Sequence, residues 1–240
     1  MLLEICASSY QSVFNAELAG ADRIELCSEL ALGGITPSYG LIKNVVEKLT
    51  IPVNVLIRPR SGNFTYSDEE FAIMKTDIQL CKDLGCNGIV SGVLNPDNTI
   101  DILRTQESIE LAKPLEFTFH RAFDWVENSF EALEQLITIG ANRVLTSGKK
   151  HTALDGIDFL DVLKKRAKNK IIILPGGGIN KENTILFKNK EFKEIHCSAT
   201  VISYQDTKEK LSMNNQKLFD DRIIVYSDTD TIKAILDSIR

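Results

Sequence analysis

Gly20-Ala21-Asp22-Arg23-Ile24-Glu25-Leu26-Cys27-Ser28 joins a helix stop to a strand. Glycine ends a helix cheaply because it enters the left-handed region without a Cβ clash. Ile24 and Leu26 then alternate with Arg23, Glu25 and Cys27, the period of two that marks a strand. The junction recurs at Gly85-Cys86 and Gly140-Ala141, each just before another apolar run. Working outward, strands are read at Leu2–Cys6, Arg23–Ser28, Val53–Pro59, Gly88–Leu94, Leu115–Arg121, Arg143–Ser147, Ile171–Pro175 and Glu194–Ala199. Amphipathic stretches lie between them. Asp68–Leu84 places Phe71, Met74, Ile78 and Cys81 on one face, with Ser67 and Glu70 spaced as a capping box. The last helix is expected at Thr229–Ile239. Strands alternating with helices from end to end predict a parallel sheet with crossover helices. Eight such units predict a closed (β/α)8 TIM barrel, with an open doubly wound sheet as the alternative. The 240 residues suit one barrel of roughly 250, and no Gly/Ser-rich linker divides them. Residues 1–240 are therefore expected to form a single domain.

Parallel strands are ordinarily apolar on both faces. Here one face is polar. Leu3 and Ile5 oppose Glu4 and Cys6, and Val55 and Ile57 oppose Leu56, Arg58 and, just beyond, Arg60. Phe117 and Phe119 oppose Glu116, Thr118 and His120, while Ile195 and Cys197 oppose His196 and Ser198. The large apolar residues should pack outward on helices, so the charged set should point into the barrel. Buried unpaired charges cost several kcal/mol or more, so these groups must pair or bind something. Arg23 and Glu116 fall early in their strands and read as a salt-bridge network closing the barrel bottom, Arg23 pairing with Glu4 or Glu25. Arg58, Arg60, His120, Arg121 and His196 fall at or past strand ends, where chemistry sits in such barrels.

Pro175-Gly176-Gly177-Gly178-Ile179-Asn180 follows the seventh strand and leads into a short helix. Bare glycine amides beside a helix start can cradle an anion; a plain tight turn is the alternative. Arg58 and Arg60 add two forked cations suited to carboxylate or phosphate. For metals, Cys6 and Cys27 should face inward from adjacent strands, a soft pair of the kind copper(I) prefers. The alternative is two small buried hydrophobes. Glu4, Glu25, His120 and His196 could instead make a harder site for a divalent ion. Cys81 and Cys86 have the wrong spacing for a zinc knuckle, and His151 lies in a polar loop. No lysine lies in a barrel strand, so a Schiff base would need Lys149 or Lys150. Neither a nucleophile elbow nor a dinucleotide fingerprint is present.

The 28 Lys plus Arg against 33 Asp plus Glu give a net charge of -5, which argues against nucleic acid as a partner. The basic run Lys164–Lys170 reads as a helix end, where cations meet the dipole favourably. No stretch approaches the roughly 18 apolar residues of a membrane span, and the N-terminus lacks a signal-peptide pattern. Five cysteines without a repeating spacing suit a reducing compartment. A soluble cytoplasmic protein is expected. A homodimer is compatible with these residues, though none of them requires it.

In combination and order, several segments resemble the CutC-type copper homeostasis family. They are Leu3-Glu4-Ile5-Cys6, the segment from Gly20 to Ser28, Gly33-Gly34-Ile35-Thr36-Pro37-Ser38 and Ile57-Arg58-Pro59-Arg60. Phe64-Thr65-Tyr66-Ser67, Phe119-His120-Arg121-Ala122-Phe123-Asp124, Leu145-Thr146-Ser147-Gly148, Pro175–Gly178 and Ile195-His196-Cys197-Ser198 continue it. The resemblance implies a cytosolic barrel linked to copper handling, with Cys6 and Cys27 as thiol ligands. It also implies that Glu25, Arg58, Arg60, His120, Arg121, Asp124 and His196 line a common pocket. Ser61, Asn63, Lys149 and Thr200 depart from the family pattern, the last where an arginine is usual.

Two functions follow as expectations. One is a copper(I)-binding homeostasis protein. The other is an enzyme acting on a small anionic, possibly phosphorylated, substrate. In the second, Arg58, Arg60, Arg121, Ser147, Ser198 and the Gly176, Gly177 and Gly178 amides would hold the anion. His120, Glu25 and His196 would move protons, with Asp124 orienting or pairing with Arg121.

Overall fold

The computed structural model describes residues 1–204, 220 and 222–240. Eight parallel strands form one sheet: β1 (Leu2–Ala7), β2 (Arg23–Leu26), β3 (Val53–Leu56), β4 (Gly88–Ser91), β5 (Glu116–Phe119), β6 (Arg143–Thr146), β7 (Ile172–Pro175) and β8 (Glu194–Cys197). Their order is β7-β6-β5-β4-β3-β2-β1-β8. A single parallel bridge, Gly176 to His196, joins the two ends of that order and closes the barrel. The expected strands are all present; six of them end earlier than expected, while β1 runs one residue longer and β7 begins one residue later. Cys27, Arg58, His120, Ser147 and Ser198 thus lie just past the ladders, at the barrel's mouth.

The crossover helices are α1 (Tyr10–Ala19), α2 (Tyr39–Lys48), α3 (Asp68–Asp83), α4 (Ile102–Ala112), α5 (Ser129–Ile139), α6 (Ile157–Ala167), α7 (Thr184–Asn189) and α8 (Thr229–Ile239). The Ser67–Glu70 capping box starts α3 as expected. Gly20 and Gly140 cap α1 and α5 at φ 86° and 88°. Lys164, Lys165 and Arg166 occupy the last turn of α6. Outward-facing Leu3, Ile5, Ile24, Leu26, Val55, Phe117, Phe119 and Ile195 are fully or almost fully buried against the helices. Buried apolar area at roughly 25 cal/mol per Å² is the main force holding this shell together.

Inside the barrel the layers differ. At the bottom, Arg23 donates to Glu4 (2.5 Å) and to Glu194 (2.6 Å), and Arg143 donates to Glu194 (2.8 Å) and Glu116 (2.7 Å). The expected alternative partner of Arg23, Glu25, lies one layer higher and takes no part. Glu116 is also less enclosed than expected, with 48% of its side chain exposed, because it sits on the rim of the bottom opening. Above this network a small apolar layer, Cys6, Cys27, Leu56 and Val90, packs separately from the outer core. Glycines make room for larger neighbours. A Cβ on Gly88 would meet the Asn54 side chain at 2.3 Å, and one on Gly92 would meet the His120 ring at 2.6 Å.

An antiparallel pair not foreseen from the sequence, β9 (Thr200–Tyr204) and β10 (Ile223–Ser227), lies between β8 and α8. Its β-branched residues alternate as a strand should, but its antiparallel pairing stands outside the βα rhythm of the barrel. Ile202 and Tyr204 are 58% and 69% exposed on it.

Candidate functional site

The mouth of the barrel opens into a cavity of about 470 Å³. Its floor is Cys6, Glu25 and His196; its walls include Leu30, Leu32, Leu56, Phe64, Trp125, Leu145 and Ile179; Arg58, His120, Arg121, Asp124, Gly177, Gly178 and Ser198 also line it. Most of the apolar wall was not expected. Leu56, on the inner face of β3, was legible from alternation and Leu145 lies on β6, but the rest of the wall comes from segments between strands, where no periodicity announces which residue turns inward.

On the floor, the Cys6 and Cys27 sulfurs lie 3.6 Å apart across β1 and β2. The Cys6 thiol also donates to Glu25 Oε1 at 3.6 Å. Its hydrogen bond to Cys27 and its burial hold the Cys6 thiol well above its ordinary range. Burial likewise raises the Glu25 carboxyl, despite the opposing pull of His196. One ligand atom from each of Cys6, Glu25 and His196 falls within 4.8 Å of the others. The expected harder set of Glu4, Glu25, His120 and His196 does not assemble in that form. Glu4 is engaged by Arg23 and by His196 Nδ1 at 2.8 Å, and His120 stands apart from the group. Burial pushes Glu4 up, but the His196 hydrogen bond and the Arg23 charge outweigh it and hold the carboxyl at about 2. Burial opposes charge on His196 too, but Glu25 and Glu4 overcome it and raise its pKa.

His120 caps the short 3-10 turn Arg121–Trp125 by accepting from the Ala122 amide at its Nδ1, at 3.3 Å. Burial, reinforced by the Arg58 charge, lowers its pKa to about 3, so the ring is neutral near pH 7. An acceptor Nδ1 places the proton on Nε2. That buried Nε2 meets no partner, and neither do Glu25 Oε2 and Arg58 Nε.

The arginines divide. Arg58 uses its outer nitrogens on backbone carbonyls of Leu32, Gly34 and Gly62, at 2.8 to 2.9 Å. It clamps the loops of the mouth rather than presenting a fork to the cavity. Arg60 does not reach the cavity at all. It turns outward to pair with Glu70 of α3 at 2.5 Å and to stack on Tyr66, because the Pro59 turn lies beyond the last ladder bond and α3 supplies a carboxylate there. Arg121 is anchored by Asp124 (2.9 Å) and Ser147 (2.8 Å). Asp124 also accepts from Thr146 Oγ1 at 2.5 Å and the Ser147 and Lys149 amides, so it organises the loop as well as pairing with Arg121. Ser147 is fully buried and supports Arg121 without itself lining the cavity.

The glycine cradle is narrower than expected. The Gly176 amide donates to the Thr146 carbonyl at 3.0 Å, leaving Gly177 and Gly178 at the cavity. α7 begins only at Thr184, after an Asn180–Asn183 turn that bonds to itself, so no helix start adds to the cradle.

The sequence pattern of the CutC family matches residues 1–201. The chain belongs to the CutC family. It is 47% identical over 199 residues to the copper homeostasis protein cutC homolog of Homo sapiens, covering 82% of this chain and 73% of that one. A CutC family protein of Parabacteroides distasonis is 43% identical over 242 residues, covering 100% and 98%. The crystal structure of CutC from Streptococcus agalactiae superposes with a TM-score of 0.78 at 33% identity, covering 82% of this chain and 98% of that one. Family membership agrees with the copper handling expected from the sequence, and the barrel is the family's barrel. Among the described residues no helix is long and apolar enough to cross a membrane.

Proposed function

We propose that this CutC protein handles copper(I) in the cytosol, holding the ion between the sulfurs of Cys6 and Cys27. The observation that carries the reading is the 3.6 Å approach of the two sulfurs, with Cys6 bordering the cavity. Thiolates are the soft donors copper(I) prefers, and the apolar layer of Leu56 and Val90 around them keeps water away. The ion enters through the mouth and displaces the thiol protons, so binding is linked to pH. With the Cys6 thiol raised, affinity is expected to climb about tenfold per pH unit for each proton released.

The test is anaerobic titration of the reduced protein with copper(I) against a competing chelator, beside the Cys6→Ser, Cys27→Ser double variant. One-to-one binding that disappears in the variant supports the reading. Binding unchanged in the variant overturns it. The proximity of Cys6, Glu25 and His196 favours a second reading, a mixed site for a harder divalent ion. Zinc or copper(II) binding that is abolished by His196→Gln and indifferent to Cys27→Ser would select it.

A further inference from the structure

Copper leaves the upper half of the cavity unexplained. Two thiols need no 470 Å³ chamber, no arginine at its rim and no wall of leucine and aromatic rings. Three buried polar groups that face this chamber, Glu25, Arg58 and His120, are 4 to 6% exposed, and each has an atom without a partner. Orphaned buried donors and acceptors cost about 1–3 kcal/mol apiece, and a fold keeps three in one cavity when something else satisfies them.

The rim has matching features. Arg121 is held rigidly through Nε and Nη2, while Nη1 makes no hydrogen bond among the described residues. That nitrogen faces Gly177: a Cβ built there would stand 3.5 Å from it. Gly177 and Gly178 have φ of +107° and +71°, a conformation that bares successive backbone amides. Their amides likewise have no backbone acceptor among the described residues. A fixed guanidinium beside two open amides is an oxyanion site, and the loop after the seventh strand is where barrels commonly hold such groups.

We propose that the mouth of the barrel is a binding site for a small organic oxyanion, a phosphomonoester or carboxylate that also bears hydroxyl or carbonyl oxygen. Its head lies on Arg121 Nη1 and the Gly177 and Gly178 amides. Its body lies against Phe64, Trp125 and Leu145. A hydroxyl or carbonyl oxygen accepts from His120 Nε2, and a hydroxyl donates to Glu25 Oε2. This site stands apart from the copper reading, because none of its anion contacts is a cysteine.

Trp125 is the one tryptophan of the chain and lines the cavity, so its fluorescence reports occupancy directly. The full-length, metal-free protein is titrated with glycerol 3-phosphate, glycerate, inorganic phosphate and, as the uncharged control, glycerol. Saturable change with glycerol 3-phosphate or glycerate, and none with glycerol, is expected; which of the two binds identifies the head. Arg121→Gln should weaken that binding at least tenfold. Arg121→Lys retains a cation beside Asp124 and serves if the first variant does not fold, with the same tenfold loss expected as the fork is lost. His120→Asn keeps an acceptor near the Nδ1 position and removes the Nε2 donor. It should weaken the organic ligand several-fold and leave inorganic phosphate untouched. Arg60→Ala, at a residue that lies outside the cavity and pairs with Glu70, should bind as wild type. No saturable signal with either organic anion, or binding indifferent to Arg121, overturns the proposal without touching the copper reading.

Discussion

The two ends of the barrel carry similar residues in opposite condition. At the bottom, Glu4, Arg23, Glu194 and Arg143 interlock at 2.5 to 2.8 Å, and every charge has its counter-charge. At the top, Glu25, Arg58 and His120 are as deeply buried, yet each keeps an atom with no partner. Burial alone therefore does not separate scaffold from site in this molecule. Among the carboxylate, arginine and histidine side chains, completeness of pairing does. A closed network fixes the barrel's cross-section, whereas an incomplete one defines a place for something else.

The largest effect should come from breaking the closed end. Arg23→Met leaves Glu4 and Glu194 without a buried counter-charge, and a loss of about 3–5 kcal/mol is expected in urea unfolding. A loss under about 1 kcal/mol would show that the bottom network does not hold the barrel.

The pH dependence sharpens the same contrast. Glu4 titrates at about 2 in the folded protein against 4.5 ordinarily. Its contribution is thus present above about 4.5 and lost as pH falls toward 2. Stability of the wild type should decline across that window, and Glu4→Gln should flatten the decline while lowering stability at neutral pH. Urea midpoints measured from pH 6 to pH 2.5 would show it. Glu25 has the opposite sign. Its raised carboxyl opposes folding at pH values above its ordinary range, so Glu25→Gln should be neutral or stabilising by roughly 1 kcal/mol near pH 7. Clear destabilisation by that variant would mean the upper carboxylate is as structural as the lower one. The smallest effect is expected at Arg60. Its pair with Glu70 is partly exposed, so Arg60→Ala should shift stability by about 1 kcal/mol or less and leave both copper and anion binding unchanged.

Much of this was legible in the residues because a strand's period of two assigns each side chain to a face. Cys6, Cys27, Glu25 and His196 could be placed inside the barrel from alternation alone, and the helix-stop glycines set the register. What alternation does not give is the direction of a residue past the last ladder bond. Arg58 and Arg60 are two positions apart and looked equivalent, yet one turns to loop carbonyls and the other to α3. Nor does it give partners distant in sequence: Arg23 meets Glu194 only because β8 closes beside β1. Leu30, Phe64 and Trp125 enter the cavity from loops whose path depends on those same long-range contacts. The hairpin of β9 and β10 was missed for another reason, since the eight-unit rhythm was already complete without it.

That hairpin enters the chain after the barrel's last strand and before the helix that covers it. Its exit is stitched down: the Ser227 amide donates to Ser12 Oγ at 3.1 Å, and Asn15 donates to the Ser227 carbonyl at 2.8 Å. The family pattern itself ends at residue 201, on β9. With both ends fastened, added length between them costs the barrel little, since closing entropy grows only slowly with loop length. Length between β9 and β10 is thus a variable the barrel tolerates, because neither its ladder nor its helical shell depends on it.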